Sequence, residues 1–117
     1  MPLFQKEETI ILDYLKKEIN KIINKNIISI ILYGSFASGK AKLTSDIDVM
    51  IISQKTNLLN KKLNKLKQDF LKNDLLLRID ILNLAEFKKL YKQKEPLIRS
   101  IIKNHKIICG KKISEIL

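Results

Sequence analysis

The stretch Tyr33-Gly34-Ser35-Phe36-Ala37-Ser38-Gly39-Lys40-Ala41-Lys42-Leu43-Thr44-Ser45-Asp46-Ile47-Asp48 sits between two apolar runs, IISIILY at 27–33 and DIDVMII at 46–52. The first run is nearly all β-branched or large apolar residues, which reads as a strand buried on both faces. It stops at Gly34, and two of the chain's three glycines fall within the six residues 34–39. Such a cluster marks a backbone turn of unusual geometry. The second run reads as a strand that opens on Asp46 and Asp48. At positions i and i+2 these carboxylates leave one face of the strand, roughly 6–7 Å apart.

Working outward, residues 7–25 carry Ile11, Leu15, Ile19, Ile22 and Ile23 at helical spacing, an amphipathic helix. A second helix is expected over 57–72, set out by Leu58, Leu59, Leu63, Leu66, Phe70 and Leu71. LLLRIDIL at 75–82 reads as a third buried strand. A helix at 85–91, a break at Pro96, a short helix at 97–104 and an apolar stretch at 107–109 complete the chain. Buried strands covered by amphipathic helices predict an α/β (α+β) domain with a small mixed sheet. With 117 residues and no linker rich in Gly, Pro or Ser, one domain over 1–117 is expected.

Composition removes several classes. One cysteine, Cys109, allows no intramolecular disulfide and reads as a small buried hydrophobe. No basic leader precedes a long apolar stretch, and no run reaches the ~20 residues of a membrane span. The expectation is a cytoplasmic protein. The net charge is +11, but nearly all of the positive charge is Lys, Arg78 and Arg99 being the only arginines. Aromatics make up 6% and Trp is absent, whereas nucleic-acid binders favour Arg forks and stacking rings. A nucleic-acid-binding module is therefore not the favoured reading.

The chemistry concentrates on three carboxylates. Asp46 and Asp48 repel each other, and a hard divalent ion such as Mg²⁺, completing its shell with water and phosphate oxygens, resolves that repulsion. The turn at Gly34-Ser35 leaves backbone N–H groups free to face a phosphate. Asp80, within an apolar strand, requires compensation by Arg78, by a backbone donor or by a metal. A P-loop reading of 34–40 fails because Ala41 stands where Ser or Thr must follow the Lys. Arg99 and His105 form an R-x5-H pair, but this chain spends its length on an α/β core. His105 is expected to cap the carbonyls of a helix end.

Gly34-Ser35, ten residues, then Asp46-x-Asp48 resembles the signature of the polymerase-beta-like nucleotidyltransferases. The order of elements is similar to their minimal form, the MNT domain, often an antitoxin encoded beside a HEPN-domain toxin. The resemblance implies a Mg²⁺-dependent enzyme that moves a nucleoside monophosphate, AMP from ATP, onto an acceptor hydroxyl of a HEPN partner. It implies that Gly34 and Ser35 hold the triphosphate, with Ser45 and Lys42 beside it. It further implies that Asp46, Asp48 and Asp80 are the catalytic set and bind two Mg²⁺ ions, Asp80 also accepting the acceptor's proton. The chain departs from the pattern at Ser38, where many minimal members carry Arg, so Lys40 or Lys42 is expected to supply the missing charge. The competing expectation is a non-catalytic antitoxin of the same fold that acts by contact.

Overall fold

A computed structural model describes residues 3–38, 46–55 and 60–117. Ten elements follow in order: α1 (Leu3–Asn20), β1 (Ile27–Tyr33), α2 (Ser35–Ser38), β2 (Ile47–Ser53), α3 (Asn60–Leu71), β3 (Leu77–Leu82), α4 (Leu84–Lys92), α5 (Pro96–Lys103), β4 (Lys106–Gly110) and α6 (Ile113–Ile116). The strands form one sheet in the order β3-β2-β1-β4. β1 runs antiparallel to both β2 and β4, while β2 and β3 are parallel, with α3 as the crossover between them. The sheet is mixed and flanked by helices, as the sequence predicts.

The period-2 alternation of the strands divides the core into two layers. Ile30, Leu32, Ile47, Val49, Ile51 and Leu77 pack with Leu15, Ile19, Leu63, Leu66 and Phe70 of α1 and α3. On the opposite face, Ile31, Met50 and Ile52 pack with Phe87, Ile98, Ile101, Ile113 and Ile116 of the last three helices. The two central strands are thus covered on both sides, which accounts for their nearly continuous apolar runs. Helix α4 starts at a capping box in which the Asn83 side chain and the Glu86 side chain each accept the other's backbone N–H. Pro96 opens α5, where its missing N–H costs nothing.

Several elements differ from expectation. α1 ends at Asn20 rather than near Lys25, and Ile23 is 40% exposed. The apolar stretch at 107–109 belongs to a true strand, β4, which pairs with β1. α6 was not anticipated, because four residues are too few to show a helical period. Leu71 is 61% exposed at the end of α3, and Leu58 and Leu59 lie outside the described residues. Cys109 is half-buried and packs against the α1/α3 core layer, and this burial pushes its thiol pKa up. His105 caps a helix end as predicted, with Nδ1 2.9 Å from the Ile101 carbonyl oxygen of α5. No described helix is long and apolar enough to cross a membrane.

Candidate active site

β1 delivers Tyr33 to the end of the sheet, and Gly34 then reverses the chain with φ at +73°. Side chains rarely adopt that backbone, so glycine is the residue that fits. A second constraint acts there: a Cβ on Gly34 would lie 2.6 Å from Asp48 Oδ2. The missing side chain is therefore space that the Asp48 carboxylate occupies. Directly after the turn, Ser35 opens the short helix α2 rather than a plain loop. The Gly34 carbonyl accepts from the N–H groups of Ala37 and Ser38, both at 3.1 Å. Phe36 anchors α2 in the core, holding the turn against the sheet.

Asp46 precedes β2 and Asp48 is its second residue. In the sheet register Asp48 lies opposite Tyr33 on one side and Arg78 on the other. The end of β1 and the starts of β2 and β3 thus meet at one point. The Arg78 guanidinium reaches both acids: Nη1 is 3.5 Å from Asp46 Oδ2, and Nε is 3.8 Å from Asp48 Oδ1. Both separations exceed the 2.7–2.9 Å typical of a charge-assisted hydrogen bond, so Arg78 offsets the negative charge loosely. The Asp48 carboxyl is pushed above its usual range, first by burial and then by the charges of Asp46 and Asp80, with Arg78 working in the opposite direction.

Asp80 corrects two expectations. It is exposed, not buried, because β3 is an edge strand whose pattern alternates rather than staying covered. Nor does it pair with Arg78, which faces Asp46 and Asp48 instead. Its partner is Tyr33, whose phenol donates to Asp80 Oδ2 at 2.7 Å. Half-burial, that bond and the nearby carboxylates together push the phenol pKa well up, so Tyr33 remains a donor. Asp80 also lines a cleft of about 200 Å³ between β3 and α4–α5, with Met50, Leu90, Glu95 and Leu97 among its walls.

Sequence reasoning missed Tyr33 altogether, and of the partners it left open for Asp80 the Arg78 pairing is not formed. The strand pairing would have shown both: Tyr33, Asp48 and Arg78 form one row across the sheet. Ser38 is exposed and its hydroxyl donates to the Ser35 carbonyl at 3.2 Å, within its own helical turn. Gly39, Lys40, Lys42 and Ser45 lie outside the described residues.

The donor chemistry at this point fits a hard divalent cation. Asp46 and Asp48 offer carboxylate oxygens, Asp80 adds negative charge that Asp48 feels, and the one neighbouring guanidinium compensates at long range. Among the described residues no three His, Cys, Asp or Glu side chains are gathered closely enough to hold one ion together. The Asp46–Asp48 pair is accordingly the part of the site that could receive such an ion, with Asp80 standing off on Tyr33.

A model of the nucleotidyltransferase domain matches residues 12–109, which include every element from the middle of α1 to β4. No curated protein is significantly similar to the chain. Among solved structures, one similar chain comes from a toxin–antitoxin with AMP-PNP. Its TM-score is 0.57 at 21% identity, covering 89% of this chain and 77% of that one. Another comes from a tri-AMPylated Shewanella oneidensis HEPN toxin in complex with an MNT antitoxin, with TM-score 0.56 at 17% identity, covering 92% and 76%. A third belongs to a mutant of the toxin–antitoxin MntA-HpeT, with TM-score 0.56 at 18% identity, covering 89% and 77%. At these identities the likeness establishes a shared fold.

Proposed function

The chain belongs to the nucleotidyltransferase domain family, and from that footing we propose that it transfers AMP from ATP to a hydroxyl on a HEPN-type partner chain, acting as its antitoxin. The observation that carries this reading is the convergence at one sheet end of a left-handed glycine turn, a helix opening on Ser35, and the Asp46–Asp48 pair, with the Asp48 carboxylate fitted into the space above Gly34. A nucleotide analogue in one similar structure and an AMP-modified HEPN toxin in another support this choice of donor and partner class.

In this reading Gly34 and Ser35 receive the triphosphate at the turn, and Ser45 and Lys42 take part in binding it. Asp46 and Asp48 would hold the two Mg²⁺ ions, with Asp80 joining them from its place on Tyr33. Bound there, the metal supplies charge neutralisation at both the attacking and the leaving oxygens of an in-line displacement. Asp80, exposed beside its cleft and held by Tyr33, accepts the proton of the acceptor hydroxyl. The acceptor oxygen forms its bond to the α-phosphorus as the bond from that phosphorus to the bridging oxygen breaks, and pyrophosphate departs. Asp48 is suited to the metal because burial and two neighbouring carboxylates make its bare charge unfavourable.

The chemistry is tested with two labelled forms of ATP. Label on the α-phosphate should appear on the partner chain, and label on the γ-phosphate should not. Transfer of the γ-label would identify a kinase-type reaction. Tight binding of the partner without any label would favour neutralisation by contact alone.

A further inference from the structure

Arg78 stands out on three counts. It is one of only two arginines among 23 basic residues. It lies in the same row of the sheet as Asp48 and Tyr33. Its guanidinium also bridges both members of the carboxylate pair while remaining 66% exposed. At 3.5 and 3.8 Å from the carboxylate oxygens, neither contact has hydrogen-bond length. An exposed pair of this kind contributes little to folding and separates easily.

A cation that bridges Asp46 and Asp48 takes up the oxygens a metal ion would need. The two cannot be satisfied together at full strength, because a guanidinium and a divalent ion on the same carboxylates repel each other. A released guanidinium on the second residue of the edge strand β3 has solvent on one side and, across Asp48 in the same row, the end of β1 that leads into the Gly34 turn. The planar fork is suited to phosphate oxygens, more so than a lysine point charge. Ser38, whose hydroxyl is bonded within α2, offers no cation of its own there.

We infer that Arg78 is a displaceable counter-ion: it holds the Asp46–Asp48 pair in the absence of metal, competes with the metal for those oxygens, and on release moves to the phosphates of the bound nucleotide. This rests on the reading of Asp46 and Asp48 as metal ligands. Arg78 is in this account a cation shared in turn between the carboxylates and the substrate, supplying charge that position 38 lacks.

The test pairs two affinities that should move in opposite directions. Mn²⁺ alone is titrated into wild type, Arg78→Gln, Arg78→Lys and Asp48→Asn, with free Mn²⁺ read by electron paramagnetic resonance. Mg-ATP binding is measured on the same proteins. Arg78→Gln should bind Mn²⁺ about tenfold more tightly, as expected when the metal no longer has to displace a solvent-screened guanidinium from the two carboxylates, and should bind Mg-ATP more weakly. Arg78→Lys should fall between wild type and Arg78→Gln in both. Unchanged or weakened Mn²⁺ binding in Arg78→Gln, beside wild-type binding that Asp48→Asn abolishes, would overturn the inference and leave the metal site standing. Mn²⁺ binding that is insensitive to Asp48→Asn would overturn the metal-site reading and the inference with it. Tighter Mn²⁺ together with tighter Mg-ATP would refute the movement of Arg78 to the nucleotide.

Discussion

Replacing Gly34 with alanine probes the site at the point where backbone and carboxylate compete for the same space. The added Cβ has two separable costs. With φ at +73°, an alanine must hold a left-handed backbone, which costs about 1–2 kcal/mol. The methyl also falls 2.6 Å from Asp48 Oδ2, against 3.4 Å for ordinary contact. The carboxylate must therefore retreat by about 0.8 Å or the turn must lift away. A displacement approaching 1 Å in a positioned catalytic group costs on the order of 10²-fold in rate. Gly110 supplies the control. It too has a positive φ, +86°, and an added Cβ would collide with the Ile28 carbonyl oxygen. It pairs with Ser29, near the opposite end of β1 from the acids. Both variants should melt below wild type. Transfer per folded molecule should fall about 10²-fold in Gly34→Ala and remain near wild type in Gly110→Ala. Equal specific activity in the two variants would refute the claim that Gly34 is kept free for Asp48.

Two further variants separate folding from chemistry. Because Asp80 is exposed on an edge strand, Asp80→Asn should melt within about 0.5 kcal/mol of wild type, while transfer falls by roughly 10²–10⁴-fold for loss of a proton acceptor. A destabilised but active Asp80→Asn would remove Asp80 from the site. The Asp48 carboxyl has its pKa raised above 3.8 by burial first, so the folded state binds more protons than the unfolded state just above that pH. Stability of the metal-free protein should then decline as pH rises from 3.8 through the raised value. In Asp48→Asn that decline should be smaller, as urea melts across the range would show, and an identical pH slope in the two proteins would contradict the assignment.

The glycine-serine turn and the paired acids were legible because each rests on local facts: a strand ending at a small residue, and a side-chain period of two. The two central strands were legible for a related reason, since both faces are covered and their apolar runs are nearly continuous. β3 misled because Leu75 and Leu76, which precede the strand, extend its apparent apolar run, whereas an edge strand needs cover only on alternate positions. Asp80 consequently looked buried when it is exposed. The partner exchange, Arg78 to Asp46 and Asp48, and Tyr33 to Asp80, depends on strand register, which joins residues 30 to 47 positions apart. No periodicity within one strand encodes it. β4 is short, and its pairing with β1 is likewise a fact of the sheet rather than of the segment.

The central claim is that the carboxylates at the mouth of Gly34 transfer a nucleotide to a second chain. Its most direct measurement is the intact mass of a candidate HEPN-type chain, taken after incubation with Mg-ATP and either wild type or Asp48→Asn. The account predicts that wild type adds whole AMP units to the partner and that Asp48→Asn adds none while still binding it. A partner of unchanged mass with wild type, or one equally modified by Asp48→Asn, would contradict the account.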